Sequence, residues 1–205
     1  DLESYGKPLI FVDSNTLYLG HSCVTTDLED SVITALEHFL EHHHKEIGLL
    51  VGQEETADAT PLQMDPRQRF FQQFLTEKGL YEERFVAVGQ FSTESGYQMM
   101  EQLIQALGDD LPTAFFMASD AIAVGALRSL QEHQIAVPDR VSLISFNDTS
   151  IAKYVFPALS TVTVYTEEMG KQAIQLLRQT FQGSQPSVPC MVKLATKLTI
   201  RDSSR

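Results

Sequence analysis

FFMASDAIAVGALRSLQEHQIAVPDRVSLISFND, from Phe115 to Asp148, joins an apolar run, a helical repeat and a second apolar run in that order. The first run, extended back to Thr113 and forward to Ala118, reads as a buried strand. Asp120 is in position to cap a helix whose Ile122, Ala123, Ala126, Leu127 and Leu130 recur at helical spacing. Val141 to Phe146 reads as the next strand. A helix of this length between two short apolar strands predicts a crossover connection, and hence parallel pairing.

The same alternation extends in both directions. Toward the N-terminus, Pro8 to Asp13 and Ser22 to Thr25 read as strands, and Thr26 with Glu29 has capping-box spacing ahead of Val32, Ile33, Leu36, Phe39 and Leu40. Ile47 to Val51 is the following strand. The polar stretch after it ends at Asp65-Pro66, an N-cap followed by proline at the first helical position, and predicts a helix with Phe70, Phe71, Phe74 and Leu75 inward and Gly79 at its end. Arg84 to Val88 then reads as a strand and Thr93 to Leu107 as a helix. Toward the C-terminus, a short strand near Thr161 to Val164 precedes a helix from Thr166 with Met169, Ala173, Leu176, Leu177 and Phe181 inward, stopped by Gly183 and Pro186. Pro189 to Val192 and Lys193 to Ile200 close the chain as strand-like pieces. Repeated over the chain, the pattern predicts an α/β fold with a parallel sheet covered by helices on both faces.

Composition agrees with such a fold and excludes some functions. With 205 residues, 43% hydrophobic and 20% charged, the chain can bury a real core. Its apolar runs are far too short to cross a bilayer, and DLESYGKPLIF has neither a basic flank nor a small-residue cleavage site, so the reading is a soluble protein with no membrane partner. Cys23 and Cys190 show no framework spacing, which fits a reducing, cytoplasmic compartment. A formal net charge of −12 would repel nucleic acid, so any DNA binding would need a basic module outside these residues.

In a parallel sheet of this kind, ligands bind beyond the carboxyl ends of the strands. Those ends carry Asp13, the region before Arg67, Gln90-Phe91, Ser119-Asp120 and Asn147-Asp148. An aromatic ring, an arginine, carboxylates and an amide are the groups that bind a sugar, the ring covering an apolar pyranose face and the polar groups taking hydroxyls. The competing reading is that Asp120 and Asp148 only cap helices and Phe91 only packs. Catalytic motifs are absent: there is no GxGxxG, P-loop or GxSxG, and neither cysteine has a motif-level histidine partner. No enzyme activity, cofactor or metal is expected.

Phe115 to Leu177 also resembles the effector-binding core of the lactose/galactose repressor (LacI/GalR) family of bacterial transcription factors. The resemblance rests on SDxxAxGAL after a strand, VPDRVSLISFND, the Pro-Ala-Leu-Ser-Thr crossover and EEMG opening a helix. PLIFVD, EHHHKEIGLL and DPRQRFFQQFLTEKGL extend it over essentially the whole chain, closest to the galactose-repressor branch. The resemblance implies the type I periplasmic-binding-protein fold of two similar α/β lobes. Residues 1–25 and 163–192 would form part of an N-terminal lobe, and 26–162 with 193–205 the C-terminal lobe. It further implies that the first units of the N-terminal lobe, a hinge helix and a helix-turn-helix domain precede Asp1.

By that resemblance, Arg67 grips sugar hydroxyls, Phe91 stacks on the effector, and Ser119, Asn147 and Asp13 complete the effector site. The chain departs from the family pattern at Phe70, Ser119 and Asn147, where many relatives carry glycine, asparagine and aspartate. The implied partners are a sugar effector such as galactose, operator DNA reached only through the separate domain, a co-regulator, and a second copy in a homodimer through the helices from Thr93 and Asp120. A periplasmic sugar carrier on the same fold is the alternative.

Three adjacent histidines, His42 to His44, raise the question of a metal site. Successive helical residues point about 100° apart, so three in a row cannot converge on one ion, and only His38 with His42 lie one turn apart. Histidine at a helix C-terminus suits the macrodipole and tolerates the left-handed conformation, so the run predicts a helix stop.

Overall fold

In the computed structural model, residues 6–53, 64–183 and 188–205 are described. Short apolar runs form strands, and the amphipathic repeats between them form the helices that cover the sheets. In chain order these are β1 (Ile10–Val12), β2 (Ser22–Thr26), α1 (Leu28–Glu41), β3 (Ile47–Gly52), α2 (Pro66–Glu77), β4 (Val86–Gly89), α3 (Thr93–Leu107) and β5 (Ala114–Met117). They continue with α4 (Asp120–Glu132), β6 (Ser142–Asn147), α5 (Ile151–Tyr154), β7 (Ser160–Thr163), α6 (Thr166–Phe181), β8 (Met191–Leu194) and β9 (Lys197–Thr199). The expected polar loop over 54–63 and the stop at Pro186 lie outside the described residues.

Contacts divide the chain into two units, Asp1–Asp27 with Val164–Thr196, and Leu28–Thr163 with Lys197–Arg205. In the first, β1, β2 and β8 form a parallel sheet in the order β1-β2-β8, and Val24, Met169 and Ala173 bury the contact between β2 and α6. Two expectations fail here. Phe181 is 70% exposed rather than inward. The 16 residues of α6 extend about 24 Å, whereas the 5-residue β2 spans only about 17 Å, so the last helical turn overhangs its sheet. Thr26 forms no capping box, because it ends β2 and its hydroxyl points to the Met169 Sδ at 3.6 Å, while α1 starts at Leu28. Cys23 donates its backbone N–H to the Cys190 carbonyl at 3.0 Å, but Cys23 is in register with Met191. The two thiols therefore point to opposite faces, and both are free.

In the second unit the sheet order is β4-β3-β5-β6-β7-β9, parallel except for the antiparallel β7–β9 pair. The chain leaves β3 in one direction through α2 and returns past it through α3, and right-handed crossovers place those helices on opposite faces. One face carries α3 and α4 over Leu50, Phe115, Met117 and Leu143, with Met99, Met100, Leu103, Ile122, Ala126 and Leu130 filling the layer. Alternate strand residues Leu49, Phe116 and Ile144, which share a register row, point to the other face. There Leu36, Phe39, Phe71 and Leu75 of α1 and α2 are buried.

The histidine run is a helix stop. His43 takes the left-handed conformation at φ 68°, and the His44 N–H closes on the Phe39 carbonyl at 3.0 Å. The rings of His38 and His42 stack at 4.3 Å, with His42 Nδ1 on the His38 carbonyl of its own helix and His44 Nδ1 on Thr113 Oγ1. Burial, then the neighbouring His42, holds both His38 and His44 below the ordinary 6.5. Below about pH 6.5 the unfolded chain therefore takes up protons before the folded one, so the stability these groups contribute is present above that pH and lost as pH falls through the folded values. The thermal unfolding midpoint is expected to fall between about pH 7.5 and about pH 5.5, and His38→Gln to reduce that slope. An unaltered slope in the variant would place the pH dependence elsewhere.

Candidate functional site

Because the chain leaves β3 toward β4 but leaves β5 toward β6, the loops at their carboxyl ends diverge and leave a crevice. Arg67 reaches this point from the first turn of α2. Asp65 caps the helix by accepting the Arg67 backbone N–H at 2.8 Å, and Pro66 supplies the first helical residue. The guanidinium then folds back. Its Nε–H and Nη2–H donate to the two oxygens of Asp65 at 2.8 and 2.7 Å, and its Nη1–H donates to the Ala118 carbonyl, at the end of β5, at 2.8 Å.

Two phenyl rings hold the guanidinium in place, Phe91 at 4.9 Å and Phe146 at 5.3 Å from its carbon. Phe91 fits because β3 ends in Gly52, where any Cβ would overlap the ring. It also packs on the core cluster, so the packing reading of Phe91 holds alongside its place at the crevice. An open cavity of about 480 Å³ is lined by Phe91, Ser119, Asp120, Val124, Asn147 and Thr149, among others.

Ser119, rather than Asp120, is the N-cap of α4, its Oγ accepting the Ile122 N–H at 3.2 Å. The expected cap moves by one residue because Asp120 is pulled inward. Buried to 1% exposure, Asp120 accepts from the hydroxyls of Ser145 and Thr161 on Oδ1 and from the N–H and hydroxyl of Thr149 on Oδ2. Asp148 caps no helix either. It accepts from Arg201 Nη2 at 2.7 Å and from the Thr163 hydroxyl at 2.9 Å. Asn147 and Asp148 both have positive φ, 108° and 56°, so the backbone turns sharply at the end of β6. The network around Asp120 and Arg201 grips this turn, and the Asn147 side chain is left exposed, with no hydrogen bond to a described residue.

Four of the five expected site residues, Arg67, Phe91, Ser119 and Asn147, thus gather at the strand ends of the second unit. Asp13 belongs to the first unit, where it follows β1 with φ 60° and donates its N–H to the Val24 carbonyl at 2.9 Å. Sequence reading missed Phe146, Asp65 as a partner of the guanidinium, and Arg201. Phe146 looks like any strand residue, and Arg201 lies 53 residues from Asp148.

The polar cluster at the strand ends can be set beside known proteins. The family described as periplasmic binding protein-like domain matches residues 36–204. The chain belongs to this family. The periplasmic binding protein-like chain is 50% identical over 204 residues to the HTH-type transcriptional regulator GalR of Streptococcus thermophilus, which covers 100% of this chain and 61% of the relative. It is 36% identical over 195 residues to the HTH-type transcriptional regulator GanR of Bacillus subtilis, 95% of this chain and 59% of that one. A solved complex of the transcriptional regulator CelR with cellobiose superposes with TM-score 0.84 at 26% identity, covering 98% of this chain and 60% of that chain. The periplasmic binding protein-like chain thus spans about 60% of the length of these relatives. The sequence resemblance to the lactose/galactose repressor family is matched by them. Among the described residues, no helix is long and apolar enough to cross a membrane.

Proposed function

We propose that this chain is the effector-binding core of a sugar-sensing transcriptional repressor, a binding protein rather than an enzyme. The observation that carries the reading is 50% identity along the whole chain to an HTH-type transcriptional regulator. The site chemistry supports it. Arg67 has two guanidinium N–H groups left after its three internal bonds. The Asn147 amide is exposed, Ser119 keeps a hydroxyl proton while capping α4, and Phe91 supplies apolar surface.

In this reading the second unit is the C-terminal lobe, and the first, which carries Asp13, is part of the N-terminal lobe. The sugar, galactose or a relative, favours one lobe arrangement by its differential affinity, and a separate helix-turn-helix domain changes its hold on operator DNA. The protein acts in the cytoplasm as a homodimer through the outer faces of α3 and α4. Arg67→Ala in the full-length protein is expected to weaken sugar binding roughly ten- to a hundredfold, since hydrogen bonds from a charged donor are lost. Calorimetric titration showing unchanged affinity would refute the assignment.

A further inference from the structure

Arg67 reaches the candidate site with its charge already answered. Asp65 holds it through a bidentate pair in which the two side chains are only 15% and 10% exposed, and the rings of Phe91 and Phe146 lie against the guanidinium. The two remaining N–H groups can donate to a hydroxyl, but the pair as a unit has no net charge. The cavity that Phe91 helps to line has no lysine or arginine among its described lining residues.

We infer that Asp65 is a specificity-determining residue which, by neutralising and orienting Arg67, makes the site accept an uncharged sugar and reject the same sugar carrying a phosphate. The inference rests on the sugar-binding reading of this site. A phosphate dianion is held by cations whose charge is available to it. Here it would have to displace Asp65 from the guanidinium and then lie beside the displaced carboxylate, a like-charge contact that selects against it. Asp65 touches no ligand in this account and is a positioning residue acting through Arg67.

Because Asp65 also caps α2, its replacement must keep the cap. Asparagine and serine both do so without the carboxylate. In the full-length protein, galactose, lactose, galactose 6-phosphate and lactose 6-phosphate are titrated by calorimetry against the wild type, Asp65→Asn and Asp65→Ser. The neutral sugar is expected to bind the wild type at least about tenfold more tightly than its phosphate, and each variant to shrink that ratio by about tenfold. The ratio is the readout, since loosening α2 would weaken both ligands alike. Wild-type protein that takes the phosphate as tightly as the neutral sugar overturns the inference, as does a ratio that stays within about twofold in both folded variants. Failure of the wild type to bind any of the four sugars overturns the sugar reading itself, and the role of Asp65 with it.

Discussion

Asp120→Ala is expected to lower the unfolding free energy by about 3–5 kcal/mol, because it strips the acceptor from several buried donors at once. The Thr149 N–H and the hydroxyls of Ser145, Thr149 and Thr161 all converge on its carboxylate. Ser145 is fully buried and Thr161 likewise, so water cannot replace what is lost. The loss also frees the Asn147–Thr149 turn, and ligand affinity should fall together with stability. Chemical denaturation without ligand measures the first effect. A cost under about 1 kcal/mol would mean that the Asp120 carboxylate contributes no more than an ordinary helix cap.

Gly125→Ala is expected to cost about 3 kcal/mol or more, although alanine is ordinarily the better helix former. A Cβ at Gly125 would overlap the Thr93 carbonyl and come within 2.6 Å of the Tyr97 nitrogen. Gly96 meets the Ile122 backbone of α4 in the same way. The two helices cross backbone on backbone, so relief requires moving α4 away from α3 and opening the core layer of Met99, Leu103, Ile122 and Ala126. Gly170→Ala in α6 provides the contrast. Nothing lies within 4 Å of its added Cβ, so it should stabilise by about 0.5–1 kcal/mol. Equal effects of the two substitutions in thermal unfolding would contradict the close crossing.

Asp65-Pro66 before an aromatic helix, Gly79 after it, and the left-handed His43 were all legible, because capping and helix termination depend on residues within one turn of each other. The same locality explains the misreadings. Asp120 and Ser119 are adjacent and both can cap a helix; which one does so depends on Ser145, Thr149 and Thr161, which are remote in sequence. Thr26 had the spacing of a capping box, yet its pairing with β8 kept it in a strand. Phe181 had the right helical phase but lies exposed at the end of α6.

By itself, the sequence determined the order and type of the elements and the strand ends where Arg67, Phe91, Ser119 and Asn147 would be found. Hydrophobic period, caps and turns act over a few residues, and the carboxyl-end rule for parallel sheets then locates the ligand side. Only the tertiary structure decided which groups answer one another there. Asp65 neutralises Arg67, Phe91 and Phe146 enclose it, and Arg201 holds Asp148 from the far end of the chain. A buried charge takes whatever donor or acceptor the packed fold brings within about 3 Å, and that choice is made between residues the sequence keeps apart.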